Sequence, residues 1–323
     1  MSIGVIGSGA WGTALAQVLA GTEHVLLWAR EPDVVAAINA GHGNPDFLPG
    51  VALSPRIRAT GDLGEMASVA TWLVVAPAQH LRRVLAAAPL AHQPTLVLCA
   101  KGIEAHTHLL MAEVAADVAG ADVPVAVLSG PTFAGEVARG KPTAITLACA
   151  DVVLGETLMA RLARPTFRPY LSDDVPGAEI GGAVKNVLAI ACGVVEGANL
   201  GLNARAALIA RGFAEMTRFG MARGARAETL AGLSGLGDLV LTCSSANSRN
   251  FALGLGIGRG ERAANLLATR TVAEGAATAP VLVEAARAVG VDMPIAEAVA
   301  ALLAGAPVVE TVAALLARPL KAE

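Results

Sequence analysis

Aromatic residues make up only 3% of this 323-residue sequence and charged residues only 16%, against 54% hydrophobic. A core of that composition must be built from Ala, Val, Leu and Ile, and the balance is neither that of a disordered chain nor of a fibrous one. Cysteine is scarce too. Cys99, Cys149, Cys192 and Cys243 lie far apart with no C-x-x-C pair and no neighbouring His, which excludes a disulfide framework and a zinc site and fits a reducing cytoplasm. An excess of either charge sign is also missing: 24 Lys and Arg against 27 Asp and Glu give a formal charge of −3. No global field is available to hold nucleic acid, so any anion must be bound locally. Long apolar runs are short of what a bilayer requires. The best late run, Ala298 to Val309, is broken by Gly305 and Pro307, below the roughly 18 residues of a spanning helix. The uncharged stretch Met1 to Thr22 is punctuated by Gly4, Gly7, Gly9 and Gly12 with no Lys or Arg ahead of it, so it reads as neither signal peptide nor membrane span. The expectation is a soluble chain of two domains.

What is present is an alternation of short apolar runs with helical patterns. Met1 to Gly7 reads as a strand, Trp11 to Gly21 as a helix and His24 to Trp28 as a second strand, a βαβ beginning. Further strands are expected at Ile57 to Ala59, Thr71 to Ala76, Thr95 to Ala100, Val123 to Leu128, Thr143 to Ala148 and Phe167 to Leu171. Helical patterns intervene, among them Gln79 to Ala88 and His106 to Val118. Strands joined through helices predict a mostly parallel sheet covered on both faces. Beyond Asp173 the strand signal stops. From Ala178 onward the chain reads as successive helices broken at Gly197, Gly224, Gly232, Gly260 and Pro294. The predicted architecture is therefore an α/β domain over residues 1–174, followed by an all-α domain over 175–323.

Gly7, Gly9 and Gly12 spell G-x-G-x-x-G between the first strand and the first helix. In that context the pattern is the dinucleotide fingerprint of a Rossmann-type sheet, with Gly7 for the tight turn, Gly9 for approach of a pyrophosphate and Gly12 for helix-on-strand packing. Ala10 and Trp11 open the helix whose N-terminus would face the anion. A carboxylate at the end of the second strand would hold a ribose hydroxyl, and an Arg would accept a 2′-phosphate. Arg30 and Glu31 are adjacent there, so the expected cofactor is NADP or NAD, with NADPH favoured.

Lys101 follows the fifth strand at its carboxyl end, where open α/β sheets bind ligands, or it is a solvated loop lysine. Ser129, Gly130, Pro131 and Thr132 end the next strand in a turn able to cradle an anion or hydroxyl. Lys185 stands in the otherwise apolar run Ile180 to Val195 beside Asn186. Either its stem snorkels to solvent, or its ammonium is held in a dry site suited to proton transfer. Asn186 is equally a packing partner or a ligand contact. Asp238 lies in a glycine-flanked apolar segment that runs on to Thr242, as a helix N-cap or as a site residue. Ser248, Arg249 and Asn250, opening a helix, combine a guanidinium with unclaimed backbone amides, which is what a small phosphate requires. His106 and His108 form H-x-H without a carboxylate at ligand spacing, and read as exposed helix-start residues; no metal is expected.

Taken together, these segments resemble the bacterial NAD(P)-dependent sn-glycerol-3-phosphate dehydrogenases. The resemblance runs through GSGAWGTALA (Gly7 to Ala16), KGIE (Lys101 to Glu104), SGPTF (Ser129 to Phe133), GGAVKNV (Gly181 to Val187), NAR (Asn203 to Arg205), GLGDLVLTC (Gly235 to Cys243) and SRN (Ser248 to Asn250), in the family's order. It implies reversible hydride transfer between NAD(P)H and dihydroxyacetone phosphate, supplying glycerophospholipid synthesis, by a cytoplasmic homodimer. It also implies that Trp11, Arg30 and Ala134 touch the cofactor and that Lys101 contacts both cofactor and substrate. Gly130 and Thr132 would line the substrate site, with Lys185 as proton acceptor. Asp238, Ser248, Arg249 and Asn250 would complete the pocket, Arg249 also bordering the cofactor. Val272 and Glu274 would close over the nucleotide, although Ala273 between them departs from the family's pattern. A β-hydroxyacid dehydrogenase acting on a carboxylate, and a non-catalytic dinucleotide sensor, are the competing readings.

Overall fold

A computed structural model of the chain describes residues 3–268 and 273–319. Two compact units divide it: one runs to Lys101 and resumes over Leu109–Glu179, the other takes in Gly102–His108 and the chain from Ile180 onward.

The first unit is built on a single eight-stranded sheet. Its strands are β1 (Ile3–Ile6), β2 (Val25–Trp28), β3 (Ile57–Thr60), β4 (Thr71–Val74), β5 (Thr95–Leu98), β6 (Val125–Ser129), β7 (Thr143–Ala148) and β8 (Phe167–Ser172), in the order β3-β2-β1-β4-β5-β6-β7-β8. All eight expected stretches supply a strand. The helices between them are α1 (Ala10–Leu19), α2 (Pro32–Gly41), α3 (Leu81–Ala87), α4 (Met111–Ala119), α5 (Ala134–Ala138) and α6 (Val152–Leu162). Successive strand residues point to opposite faces. Val25, Leu27, Leu73 and Val97 accordingly join one apolar cluster, and Leu26, Trp72, Val74, Leu96 and Leu98 join a second. Burial on both faces is why the strands read as continuous rather than alternating apolar runs.

Strand order reverses at β1, which pairs with β2 on one side and β4 on the other. The chain leaves those strands in opposite directions there and opens a crevice at their carboxyl ends. Every neighbouring pair is parallel except β6 with β7, which run antiparallel. The connecting helix α5 has five residues, about 7.5 Å of rise, whereas β6 spans about 16 Å. The chain turns back beside the carboxyl end of β6, where Ser129 pairs with Thr146, rather than returning to the start of that strand.

One helix starts later than its pattern suggested. α4 begins at Met111 rather than near His106, because His106 and His108 take left-handed conformations with φ of 68° and 59° that no α-helix admits. The two histidines therefore lie in an irregular segment and are not helix-start residues. His106 is exposed and His108 partly buried. His108 Nε2 lies 3.1 Å from Glu284 Oε2 and its carbonyl accepts a bond from Arg223 Nη1.

The second unit is helical. α7 (Val175–Gly197), whose first residues belong to the sheet unit, is followed by α8 (Leu202–Ala222), α9 (Ala227–Leu230), α10 (Asp238–Cys243), α11 (Arg249–Gly258) and α12 (Ala263–Leu267). α13 (Glu274–Ala288), α14 (Pro294–Leu303) and α15 (Val308–Leu316) complete it. α7 is long and apolar enough by composition to cross a membrane, yet its apolar window is wholly buried. It is the spine of the unit. A side chain at Gly193 or Gly254 would run into the backbone of α11 or α7 respectively, so these glycines let the two helices touch backbone to backbone.

Candidate active site

The turn from β1 into α1 has the geometry that the glycine spacing predicts. Gly7 holds φ of 110°, a conformation that strains any residue with a Cβ. A Cβ on Gly12 would land on the carbonyl oxygen of Gly7, whereas one on Gly9 would meet nothing within 4 Å. Gly9 is thus the position where a ligand can approach the main chain. Gly9 caps α1 without a side-chain bond, and the first turn, opened by Ala10 and Trp11, carries no acidic residue. The unsatisfied amides and positive dipole end suit an anion. The loop is fastened from behind: Thr13 Oγ1 and Asn44 Nδ2 both donate to the Ser8 carbonyl, at 2.9 and 2.8 Å. A pyrophosphate-bearing dinucleotide fits this cradle.

At the end of β2, Arg30 is largely exposed, and its Nε and Nη2 donate to Glu31 Oε1 at 3.0 and 2.7 Å. Further along the carboxyl edge, Lys101 Nζ donates to the Gly130 carbonyl at 3.0 Å, and Thr132 Oγ1 reaches the same oxygen at 3.3 Å. Lys101, Gly130 and Thr132 are therefore gathered at the adjacent ends of β5 and β6, with Ala134 opening α5 just beyond. Next to Lys101, burial drives the Cys99 thiol up to about 12, so it stays neutral.

In the helical unit, Lys185 on α7 donates from Nζ to Asp238 Oδ1 at 2.9 Å and to Thr242 Oγ1 at 2.8 Å. Thr242 Oγ1 in turn donates to Asp238 Oδ1 at 3.2 Å. Asp238 is fully buried and Lys185 only 7% exposed, so the lysine does not snorkel. Asp238 and Thr242, one turn apart on α10, share a face. A π-helical turn, Leu233–Gly237, leads into α10. Gly181 lies so close to Ser234 in this turn that a Cβ would strike its carbonyl; four residues further along each segment come Lys185 and Asp238. Close approach at Gly181 thus sets the register of the ion pair. An unpaired ammonium or carboxylate in this core would cost several kcal/mol, and each supplies the other's counter-charge. The neighbouring Cys243 thiol is pushed well above its usual range by its hydrogen bond with Cys192 and by burial, which keeps a thiolate out of the site.

Asn186 and Asn250 are bound to each other. Asn250 Nδ2 donates to Asn186 Oδ1 at 2.9 Å, and Asn250 Oδ1 accepts the Gly275 N–H at 3.0 Å. They fasten the start of α13, where Glu274 is half-buried. Ser248 Oγ caps α11 by accepting the Phe251 N–H, and Arg249 in its first turn is exposed. Val272 lies outside the described residues. Asn44 escaped the sequence reading: its Asn-Pro dipeptide signals a turn, but a partner 36 residues away leaves no local trace.

Comparison with known proteins supports the same picture. The chain matches the models of the NAD-dependent glycerol-3-phosphate dehydrogenase N-terminus over residues 2–154 and C-terminus over residues 174–314. It is 62% identical to glycerol-3-phosphate dehydrogenase NAD(P)+ of Erythrobacter litoralis over 99% of this chain and 97% of that one. It is 65% identical to a Sphingopyxis alaskensis relative of the same name over 91% and 89%. The crystal structure of glycerol-3-phosphate dehydrogenase from Coxiella burnetii superposes with a TM-score of 0.92 at 37% identity, covering 98% of this chain and 99% of that chain. With both family models matched and relatives this similar over nearly their whole length, the chain belongs to the family of NAD(P)-dependent glycerol-3-phosphate dehydrogenases.

Proposed function

We propose that the chain reversibly transfers a hydride between NAD(P)H and the carbonyl carbon of dihydroxyacetone phosphate, forming sn-glycerol 3-phosphate for glycerophospholipid synthesis. The observation that carries this reading is the buried Lys185 ammonium held by Asp238 and Thr242. When bound at the β1–α1 turn, the reduced nicotinamide cofactor supplies the hydride. As the carbonyl carbon is reduced, its oxygen gains negative charge. Lys185 stabilises that charge and gives up a proton from Nζ to the oxygen, acting as general acid. Asp238 keeps the ammonium oriented, and Thr242 fixes the shared carboxylate oxygen. In the oxidising direction neutral Lys185 takes the hydroxyl proton.

Lys101, Gly130 and Thr132 line the substrate side of the sheet edge in this reading. Ser248, Arg249 and Asn250 bind the phosphate, Arg249 as the charged donor and the first turn of α11 with its amides. Asn186 holds Asn250 in place. Arg30 takes a 2′-phosphate in exchange for Glu31, which favours NADPH, while Glu31 remains available to a ribose hydroxyl so that NADH is also used. Ala134 and Glu274 border the nucleotide. The enzyme works as a cytoplasmic homodimer, which sedimentation checks.

The test is to mix the protein with NADPH and dihydroxyacetone phosphate and follow the nicotinamide absorbance. Oxidation of NADPH with formation of glycerol 3-phosphate is the expected result. Oxidation only with a keto- or aldehyde-carboxylate would make the chain a β-hydroxyacid dehydrogenase, and binding without turnover would make it a sensor.

A further inference from the structure

The amides that face an anion at the β1–α1 turn can do so only if the neighbouring carbonyls point elsewhere. In the segment Gly7–Ser8–Gly9–Ala10 the Ser8 carbonyl is the group at risk, since a single peptide flip would turn its oxygen toward a pyrophosphate. The Ser8 oxygen is tied inward by two donors at once, Thr13 Oγ1 at 2.9 Å and Asn44 Nδ2 at 2.8 Å. Asn44 is 1% exposed and Thr13 is fully buried. The second Nδ2 hydrogen of Asn44 goes to Thr13 Oγ1 at 2.8 Å, and Asn44 Oδ1 accepts the Phe47 N–H at 3.2 Å. Both donors and the acceptor of the carboxamide are used. The network joins two pieces of chain that are distant in sequence: the fingerprint loop running into the first turn of α1, and the loop after α2.

We infer that Asn44, acting with Thr13, is a positioning residue for the cofactor pyrophosphate, locking the Ser8 peptide so that its carbonyl faces inward and the following amides face the anion. This rests on the dinucleotide reading of the loop. Asn44 touches no ligand in this account; it acts through the Ser8 carbonyl. Because the pyrophosphate is common to both cofactors, the role is blind to the 2′-phosphate, unlike that of Arg30.

The experiment compares wild type with Asn44→Asp, which keeps the shape and the acceptor for Phe47 but puts a carboxylate oxygen against the Ser8 carbonyl. Fluorescence titration should show NADPH and NADH both weakened by about 10- to 100-fold, the worth of one or two lost hydrogen bonds plus a misplaced charge. At saturating NADPH, kcat should stay within about threefold of wild type, since the chemical step is untouched. Adenosine 2′-monophosphate, which has no pyrophosphate, should inhibit both proteins equally. Thr13→Val, which removes one of the two donors, should weaken both cofactors in the same direction by a smaller factor, and Thr13→Ser should restore them. This pair decides the matter if Asn44→Asp does not fold. The inference is overturned if folded Asn44→Asp or Thr13→Val binds NADPH as wild type does, or if adenosine 2′-monophosphate is weakened as much as NADPH. Failure of the wild type to bind either cofactor would defeat the dinucleotide reading, and this inference with it.

Discussion

In the sheet unit the surface offered to an anion is main chain: Gly7 at φ of 110°, Gly9 opening on space and an α1 N-terminus without an acidic residue in its first turn. In the helical unit the proposed centre for proton transfer is made of side chains, a lysine and an aspartate buried together and tied by a threonine. A backbone cradle costs little, because exposed amides are solvated until a ligand takes the water's place. A buried ion pair is expensive to assemble and loses much of its stabilisation if one member is removed. The first kind of site suits binding a cofactor that must come and go, and the second suits chemistry that needs a proton donor at one fixed point.

That contrast is broken most sharply at Lys185. Replacing it with Ala should lower kcat by at least about 100-fold, the usual scale of general acid catalysis, and leave NADPH affinity nearly intact. Lys185→Arg should restore little, since a guanidinium stays protonated and cannot place one donor at one oxygen. A Lys185→Ala enzyme keeping more than about a tenth of its turnover would refute the role.

The helical unit carries another buried ionisable group, whose consequence is stability rather than catalysis. Glu215 on α8 accepts the N–H groups of Ile295 and Ala296 at the start of α14. Burial drives its carboxyl up to about 7, opposed by those bonds and by Arg218 and reinforced by Asp292. The folded protein therefore holds this proton more tightly than the unfolded chain. The resulting stability is full below the ordinary carboxylate range and is lost as pH rises through about 7. Denaturant unfolding at pH 5 and pH 8 should show wild type losing up to about 3 kcal/mol more than Glu215→Gln. Equal losses would mean that Glu215 holds its proton no more tightly in the folded protein than in the unfolded chain.

Arg249 tests whether the helical unit also binds by side chain. Arg249→Ala should cut kcat/KM for dihydroxyacetone phosphate by about 10- to 100-fold and barely change the poor reduction of dihydroxyacetone, which has no phosphate to bind. Equal losses on both would place Arg249 in folding or cofactor binding, and Lys101 would become the next phosphate candidate. The smallest effect belongs to Arg30, the side chain in the sheet unit expected to favour NADPH over NADH. Its side chain is 72% exposed, so Arg30→Ala should cost NADPH only about 1–2 kcal/mol and NADH little. Equal weakening of both would remove Arg30 from the 2′-phosphate.

Some of this was legible from local spacing alone. Gly7, Gly9 and Gly12 lie within six positions, between a strand and a helix, and the geometry each must adopt follows from that spacing. The eight strands were equally visible, because a sheet covered on both faces writes each strand as an apolar run. The antiparallel entry of β7 was not, since an apolar run records that a strand is buried and not the direction in which it pairs. Nor was the late start of α4, where two left-handed histidines interrupt a helical pattern.

The charged centre depended on the fold. Lys185 and Asp238 are 53 residues apart, and residue order leaves open whether an apolar helix buries its lysine or lets it reach water. The approach of Gly181 to the Ser234 carbonyl closes that question, because it brings α7 against the π-helical turn one helical turn before the two charges. Asn44 and Ser8, 36 residues apart, follow the same rule. Short-range patterns report backbone conformation, which neighbours in sequence dictate, whereas a buried polar side chain finds its partner only when separate segments pack.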